Sequence, residues 1–433
     1  MGTAATGCPS SAAGPLDDPV FKFPSRVQVK GIDFVEESNM FCIECGKENV
    51  ETAHFCASCG KATSPVSGPK PPTTPSTPAK HGGVLHSIGN QISSFANTDQ
   101  LDGFSLGDFF SEVFKKRETS EVDDYFVVGT SRTTPSIEDV PTSWPKPWFF
   151  FRVLLFLGLV YLGFYFAFQQ FGNPKLIPGL IMMGSLAVPL ATVILFFELN
   201  VPRNISFNRV LMLVASGGVV SLFVALVGFS VSDLGWLGAS QAGIVEEVGK
   251  LLAVILVARS FKGKYILNGL LYGAAVGAGF AFFESAGYAF EFLEKSGKLD
   301  VMFSVIQLRA ILTPFGHVAW TAIAAGALWR VKGDRPFQLS MLFDGGFLRT
   351  MFIPMILHMA WDSPFSSPFD IHLFALGAIG WFVVFGLVQQ GLRQIRDEQF
   401  QISQAKAIKA TLIPGPQLIR PTMPVPEGKV AEA

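Results

Sequence analysis

The chain has 433 residues, of which 49% are hydrophobic and only 15% are charged, and its formal net charge is −1. A soluble domain usually has about a quarter of its residues charged, so the composition excludes an ordinary cytosolic enzyme. The near-zero net charge provides no basic surface, and no nucleic-acid partner is expected. Residues 1–145 are polar, whereas residues 148–392 form successive apolar stretches long enough to cross a bilayer as helices.

The N-terminal region divides into a tail and a small metal-binding module. Residues 1–39 are expected to be disordered, and the first thirty contain no apolar signal-peptide core, so insertion would rely on the first spanning helix. Residues 40–62 contain two CxxC pairs separated by ten residues, and their four thiolates are Cys42, Cys45, Cys56 and Cys59. Such spacing completes the tetrahedral sulfur shell of a structural Zn²⁺ in a zinc ribbon. Two disulfides or a redox pair are the less favoured interpretations.

Between this module and the apolar region lie two further segments. Residues 63–83 are rich in proline, which favours an extended linker. Residues 84–145 recover a hydrophobic pattern that predicts one or two short amphipathic helices on the cytosolic side. They would lie on the inner leaflet, dock on a partner, or pack on the membrane domain itself.

The apolar region, 146–393, predicts eight transmembrane helices in an all-α polytopic fold. The spans are approximately 148–170, 176–197, 208–231, 236–258, 265–292, 302–328, 341–361 and 371–392. One set of connections holds eight basic residues and the alternate set only three lysines. The positive-inside rule therefore predicts cytosolic termini, and residues 394–433 are expected to form a disordered cytosolic tail.

Several ionisable residues interrupt the predicted spans, where each is costly and points to function. They are Glu246, Glu247 and Lys250 in the fourth span, Glu284 and Tyr288 in the fifth, His317 in the sixth, and His358 and Asp362 in the seventh. At about 1.5 Å per residue, their depths fall within one outer or middle layer of the membrane. A shared polar cavity is the simplest prediction.

Histidines and carboxylates at one level are the ligand types of a divalent cation, most simply Zn²⁺, with a remaining carboxylate as general base. Asp362 lies one turn from His358 and is placed to accept its second ring N–H. Lys250 would neutralise one carboxylate of the adjacent pair, and Tyr288 or Lys250 would stabilise an oxyanion. Structural ion pairs and interhelical hydrogen bonds remain the alternative for each residue.

Four ordered motifs now stand in successive spans over about 210–390. They are Glu246-Glu247-xx-Lys250, Phe283-Glu284-xxx-Tyr288, His317, and His358-xx-Trp361-Asp362. This arrangement resembles the PrsW-type intramembrane proteases, relatives of the CAAX-processing and bacteriocin-processing membrane proteases.

The resemblance implies a peptidase of the bacterial cytoplasmic membrane that cuts membrane protein substrates within the bilayer. It assigns Glu246, Glu247, Glu284, His317 and His358 to catalysis or metal binding, with Glu284, His317 and His358 as the possible metal ligands. The family is usually described as metal-dependent, although related enzymes have been argued to work without a metal. The zinc ribbon lies outside the motifs, and we expect it to be a regulatory or partner-binding module.

Two other classes of function use the same residues. An ion- or proton-coupled transporter would employ them as a relay, although the sequence has no evident inverted repeat. A non-catalytic membrane sensor would carry a degenerate site, but the motif set is intact.

The zinc ribbon makes the first testable prediction. Replacing Cys45 and Cys59 by serine removes one thiolate from each pair, so the purified full-length protein should lose about one Zn²⁺ per chain. Elemental analysis measures this loss. Cys8→Ser is the matched control and should leave the zinc content unchanged; an unchanged content in the double variant would refute the ribbon.

Overall fold

The computed structural model describes residues 84–412 apart from 260 and 262, together with two short strands near the N-terminus. The strands, β1 (Met40–Phe41) and β2 (Glu48–Asn49), pair antiparallel, with Met40 opposite Asn49. The four cysteines of the predicted zinc ribbon lie outside the described residues, so the ribbon stays a prediction. The chain divides into two units, residues 1–76 and residues 77–433.

The larger unit is helical. Its helices are α1 (Val84–Ala96), α2 (Leu106–Phe109), α3 (Thr119–Asp123), α4 (Phe149–Phe171), α5 (Ile177–Leu199), α6 (Phe207–Met212), α7 (Gly218–Val231), α8 (Ala242–Ala258), α9 (Ile266–Ser296), α10 (Leu299–Leu312), α11 (His317–Lys332), α12 (Gly345–Trp361) and α13 (Ile371–Leu412). A single π-helical turn joins α6 to α7, and a short 3₁₀ turn follows α10.

Within the described residues, six helical segments are long and apolar enough to cross a membrane. They are Phe149–Phe171, Pro174–Leu199, Phe207–Val231, Ile266–Ser296, Leu299–Lys332 and Pro368–Lys409. The protein is therefore a multi-pass membrane protein, with six of the eight predicted spans present at full length. The predicted fourth and seventh spans correspond to α8 and α12, which have 17 residues each. That length is about 25 Å, short of the roughly 30 Å hydrocarbon core.

The sixth predicted span is broken in its middle. Pro314 and Gly316 interrupt the helix, and Gly316 has φ −112° and ψ −128°. The break leaves His317 as the first residue of α11. Irregular backbone at this depth must be satisfied by protein groups, and the indole N–H of Trp381 donates to the carbonyl of Pro314 at 2.9 Å.

Helix α9 forms the centre of the bundle, and its glycines let α11 approach closely. A Cβ added at Gly273 would lie 2.2 Å from the carbonyl oxygen of Thr321, and one added at Gly277 would lie 2.4 Å from that of His317. Small residues at such spacing are a common means of packing membrane helices. This contact places the start of α11 beside the middle of α9.

Helix α1 packs on the membrane domain, which is one of the three arrangements predicted for the segment 84–145. Gly89 lies against the ring of Phe382 in α13. At the end of α1, the hydroxyl of Thr350 donates to the carbonyl of Ala96 at 2.8 Å, and Arg330 donates to that of Asn97 at 2.6 Å. The segment is therefore part of the larger unit.

The helix that contains the last predicted span, α13, extends beyond the expected end of that span. The span is predicted to end at 392 and a disordered tail to begin at 394. Because α13 is helical to Leu412, the expected start of the tail is wrong. The extension is held by the segment 84–145: the side-chain amide of Gln399 donates to the carbonyls of Ile137 and Val140. The rest of the tail lies outside the described residues.

A partly buried carboxylate fixes the start of α4. Glu198, at the end of α5, accepts hydrogen bonds from the backbone N–H groups of Trp148, Phe149 and Phe150 at 2.7–2.9 Å. The hydroxyl of Tyr125 donates to the same carboxylate at 2.8 Å. A negative charge at a helix N-terminus satisfies its free N–H groups and its dipole.

This contact predicts a stability effect. Glu198→Gln removes the charge and places an amide N–H₂ near backbone donors, so we expect unfolding to become easier by about 1–3 kcal/mol. Thermal unfolding of the detergent-purified protein measures it. Glu294→Gln, at an exposed position on α9, is the control, and an equal midpoint for both variants would contradict the proposed contribution.

Candidate active site

The centre of the candidate site is a buried ion pair within α8 that also contacts a histidine of α12. Lys250 Nζ lies 2.6 Å from Glu247 Oε1, and the same oxygen lies 2.8 Å from His358 Nδ1. Glu247 and Lys250 are completely buried. One carboxylate oxygen thus joins a lysine of its own helix to a histidine of another. Nδ1–H of His358 donates to Glu247, so its Nε2 faces the other side of the ring, where Asp362 Oδ2 lies at 3.2 Å and Glu246 Oε2 at 3.8 Å.

Glu246, the neighbour of Glu247, is held more loosely. Its Oε2 lies 3.6 Å from Lys250 Nζ and 3.8 Å from His358 Nε2. Both distances exceed a hydrogen bond, and this oxygen is buried without a hydrogen-bond partner among the described residues. Glu246 is 8% exposed, whereas Glu247 is fully buried. A buried carboxylate oxygen with no donor is costly unless a ligand satisfies it.

His317 connects this pair to α9. Its Nδ1 lies 2.8 Å from Lys250 Nζ, and its Nε2 lies 2.9 Å from Glu284 Oε2. An ammonium is donor-only, so Nδ1 accepts and Nε2–H donates. The break before α11 makes this contact possible, since it places His317 at the end of a helix rather than inside one.

Glu284 also binds an arginine that the sequence analysis left without a role. Arg309, on α10, forms an ion pair with Glu284, and its Nε donates to Ser285 Oγ at 2.9 Å. Its guanidinium lies 4.5 Å from the centre of the Tyr288 ring. The sequence feature that could have identified Arg309 is its position inside a predicted span, where an arginine requires a partner.

Aromatic side chains enclose the polar groups. Trp320 stacks on His358 with ring centres 4.5 Å apart and contacts His317 and Trp361 edge-on, both at 5.4 Å. The Phe280 ring centre lies 4.4 Å from Lys250 Nζ. Sequence reasoning missed both Trp320 and Phe280, because an aromatic residue in an apolar span has no feature that distinguishes a site wall from ordinary core.

The structure brings most of the predicted residues into one connected group. Glu246, Glu247, Lys250, Glu284, His317 and His358 are joined directly, and Asp362 Oδ2 lies 3.2 Å from His358 Nε2. Tyr288 is at the edge: it is 39% exposed and packs with Arg309. The structure thus supplies Arg309, rather than Tyr288, as the direct partner of Glu284.

Three of these residues could hold a divalent cation. One ligand atom each from Glu246, His317 and His358 lies within 4.8 Å of the others. This set shares both histidines with the predicted one but has Glu246 in place of Glu284, whose carboxylate is engaged by Arg309 and His317. The unpartnered oxygen of Glu246 and the N,N,O donor chemistry fit Zn²⁺ or a similar ion.

The charge balance of the site also fits a divalent cation. Among the residues that the structure describes, two permanent cations, Lys250 and Arg309, face four carboxylates, Glu246, Glu247, Glu284 and Asp362. Two negative charges therefore lack compensation when both histidines are neutral. In a medium of low dielectric, this imbalance favours either a bound cation or a proton.

A cavity of about 210 Å³ opens beside His317. It is bordered by Arg309, Trp320 and Trp361, with apolar residues of α9, α10 and α13 completing the wall. At about 30 Å³ per water molecule, it has room for several waters or for a side chain. His317 and Arg309 are thus the ionisable site residues that border this space.

Part of the chain is similar to a known protein family. Residues 205–389 match the PrsW family of intramembrane metalloproteases. The PrsW match runs from just before α6 into α13 and includes every site residue described above, whereas α4, α5 and the segment before them lie outside it. No curated protein and no solved structure matches the chain significantly.

The Glu284–Arg309 pair makes a prediction that does not depend on activity. Arg309→Met leaves the half-buried carboxylate of Glu284 with less compensation, so thermal stability should fall. Glu284→Gln with Arg309→Met should be less destabilised than the sum of the single changes, with a coupling energy of about 0.5–3 kcal/mol. Unfolding midpoints of the four proteins measure it, and strict additivity would show that the pair does not interact.

Proposed function

We propose that the protein is an intramembrane endopeptidase that cleaves membrane protein substrates by attack of an activated water at this site. The observation that carries the proposal is the unpartnered Glu246 oxygen beside His317 and His358, within the region that matches the protease family. Glu247 Oε2 is likewise buried without a hydrogen-bond partner among the described residues, but it is a Glu246 oxygen that lies grouped with nitrogens of both histidines. That family match favours hydrolysis over the ion-coupled transporter and the non-catalytic sensor.

We assign Glu246 as the general base that accepts a proton from the attacking water. Its carboxylate is the more loosely held and the more exposed of the adjacent pair. Glu247 is a positioning residue, because one of its oxygens holds both Lys250 and His358. Glu247 thereby orients Nε2 of His358 toward Asp362 and Glu246.

We assign Arg309 as the hydrogen-bond donor to the carbonyl oxygen of the substrate peptide bond. It borders the cavity, whereas Lys250 is completely buried between Glu247 and His317. Donors fixed in advance around a developing oxyanion supply a large part of the catalysis of acyl transfer. Lys250 instead compensates the negative charge of Glu247 and does not contact the substrate.

A divalent metal is the proposed cofactor, and Glu246, His317 and His358 would hold it. Bound there, it would polarise the substrate carbonyl and lower the pKa of a coordinated water. His317 Nδ1 presently accepts from Lys250, so ligation through that nitrogen requires the ammonium to withdraw. A carboxylate that gives one oxygen to a cation retains the other for a proton.

The test is cleavage of a single-span reporter by the purified full-length protein in proteoliposomes. Glu246→Gln should lower the cleavage rate by about 10²–10⁴-fold, the usual contribution of a general base. Glu247→Gln should also lose activity and, because it releases His358 and Lys250, should change the thermal midpoint. Glu294→Gln is the control and should cleave normally. Normal cleavage by a folded Glu246→Gln protein would reject the assignment.

A further inference from the structure

A second and larger cavity lies at the other end of the bundle. Its volume is about 650 Å³, and it is bordered by the connection after α5, the connection between α8 and α9, and the end of α11. Residues 134–140 of the segment before α4 contribute to its wall. Lys332 is 15 residues beyond His317 on α11, or about 22 Å along the helix. The cavity is therefore separate from the candidate active site.

The lining of this cavity is strongly basic. Its charged members are Arg259, Lys264, Lys332, Arg335 and Asp334. Among the described residues, only Lys264 of the four cations forms an ion pair, with Glu398 at 2.5 Å. The other three have a single acidic side chain, Asp334, beside them in the lining. This excess of positive charge favours an anionic ligand.

Lys332 distinguishes the cavity from an ordinary cluster of loop charges. A lysine at the end of a membrane helix usually extends its ammonium into water, but Lys332 is only 5% exposed. Its Nζ donates to the carbonyls of Gly263 and Gly333, both at 3.2 Å. An ammonium has three N–H donors, so one remains after these two bonds. The buried cation thus has unused donor capacity in the wall of a basic cavity.

The uncharged lining is mostly apolar, with Thr134, Asn204 and Tyr265 as its polar members. Ile137, Val140, Pro202, Phe261 and Pro336 all border the space. The cavity also lies where α5 and α11 end and α9 begins, which is the level of lipid headgroups for helices that cross the bilayer. A ligand with a charged head and an attached apolar part matches both properties.

We propose that this cavity binds the phosphate-bearing headgroup of an anionic membrane lipid. The phosphate would accept hydrogen bonds from Lys332, Arg259 and Arg335, and the apolar wall would contact the glycerol and upper acyl carbons. Basic pockets between transmembrane helices bind anionic headgroups in this way, and charge-assisted bonds to phosphate are the strong ones. Free phosphate shares the charge but has no part for the apolar wall.

The experiment measures binding to the purified full-length protein in a neutral detergent, for example by native mass spectrometry. The probes are phosphatidylglycerol, phosphatidylcholine, glycerol phosphate and inorganic phosphate. We expect phosphatidylglycerol to bind at least tenfold more tightly than each of the other three. Equal binding of the two lipids would overturn the anionic preference, and equal binding of inorganic phosphate would overturn the lipid assignment.

Substitutions locate the site. Lys332→Met with Arg335→Gln should weaken phosphatidylglycerol binding at least tenfold and leave phosphatidylcholine binding unchanged. Arg259→Gln changes an exposed residue, so it tests the same cavity if the buried lysine is needed for folding. Lys116→Gln, exposed and outside the cavity, is the matched control. Unchanged phosphatidylglycerol binding in Arg259→Gln and in the double variant would refute the proposal.

Discussion

The structure depends on one requirement: charges that lie inside a membrane protein must be compensated there. Glu247 meets it through Lys250 on its own helix and His358 on another, while Glu284 meets it through His317 and Arg309. The contacts of Glu247 with His358 and of Glu284 with His317 and Arg309 join separate helices. Lys250 links the two sets through His317, so α8, α9, α10, α11 and α12 are tied together by the groups that form the site. Removing one partner of such a pair costs more than the pair contributes, because it leaves a charge unsatisfied.

Close backbone packing provides the second condition. Glycines of α9 allow α11 to approach until backbone meets backbone, and the break at Gly316 ends one helix and starts another at the level of the site. His317 is therefore the first residue of a helix. The short α8 and α12 belong to the same arrangement, since Glu246 lies near the start of α8 and His358 near the end of α12.

Much of this could be predicted from the sequence, and the omissions have a common cause. Glu246, Glu247, His317 and His358 were recognisable because an ionisable residue stands out in an apolar stretch. Trp320 was not recognisable, because its role comes from lying flat on His358 in three dimensions. Arg309 was visible but had no assigned partner, since its partner is on another helix. The extension of α13 was mistaken for a tail because its contacts come from the distant segment at 137–142.

The sequence by itself determined that this is a multi-pass helical membrane protein with carboxylates, histidines and a lysine in its spans, because hydropathy and charge are properties of the residues alone. Only the tertiary structure decided which of these groups meet. Contact between residues on separate helices depends on helix breaks, helix lengths and glycine packing, which together set rotation and depth. For that reason Glu246, rather than Glu284, has the free oxygen beside both histidines, and Lys332 lies inside a basic cavity rather than in water.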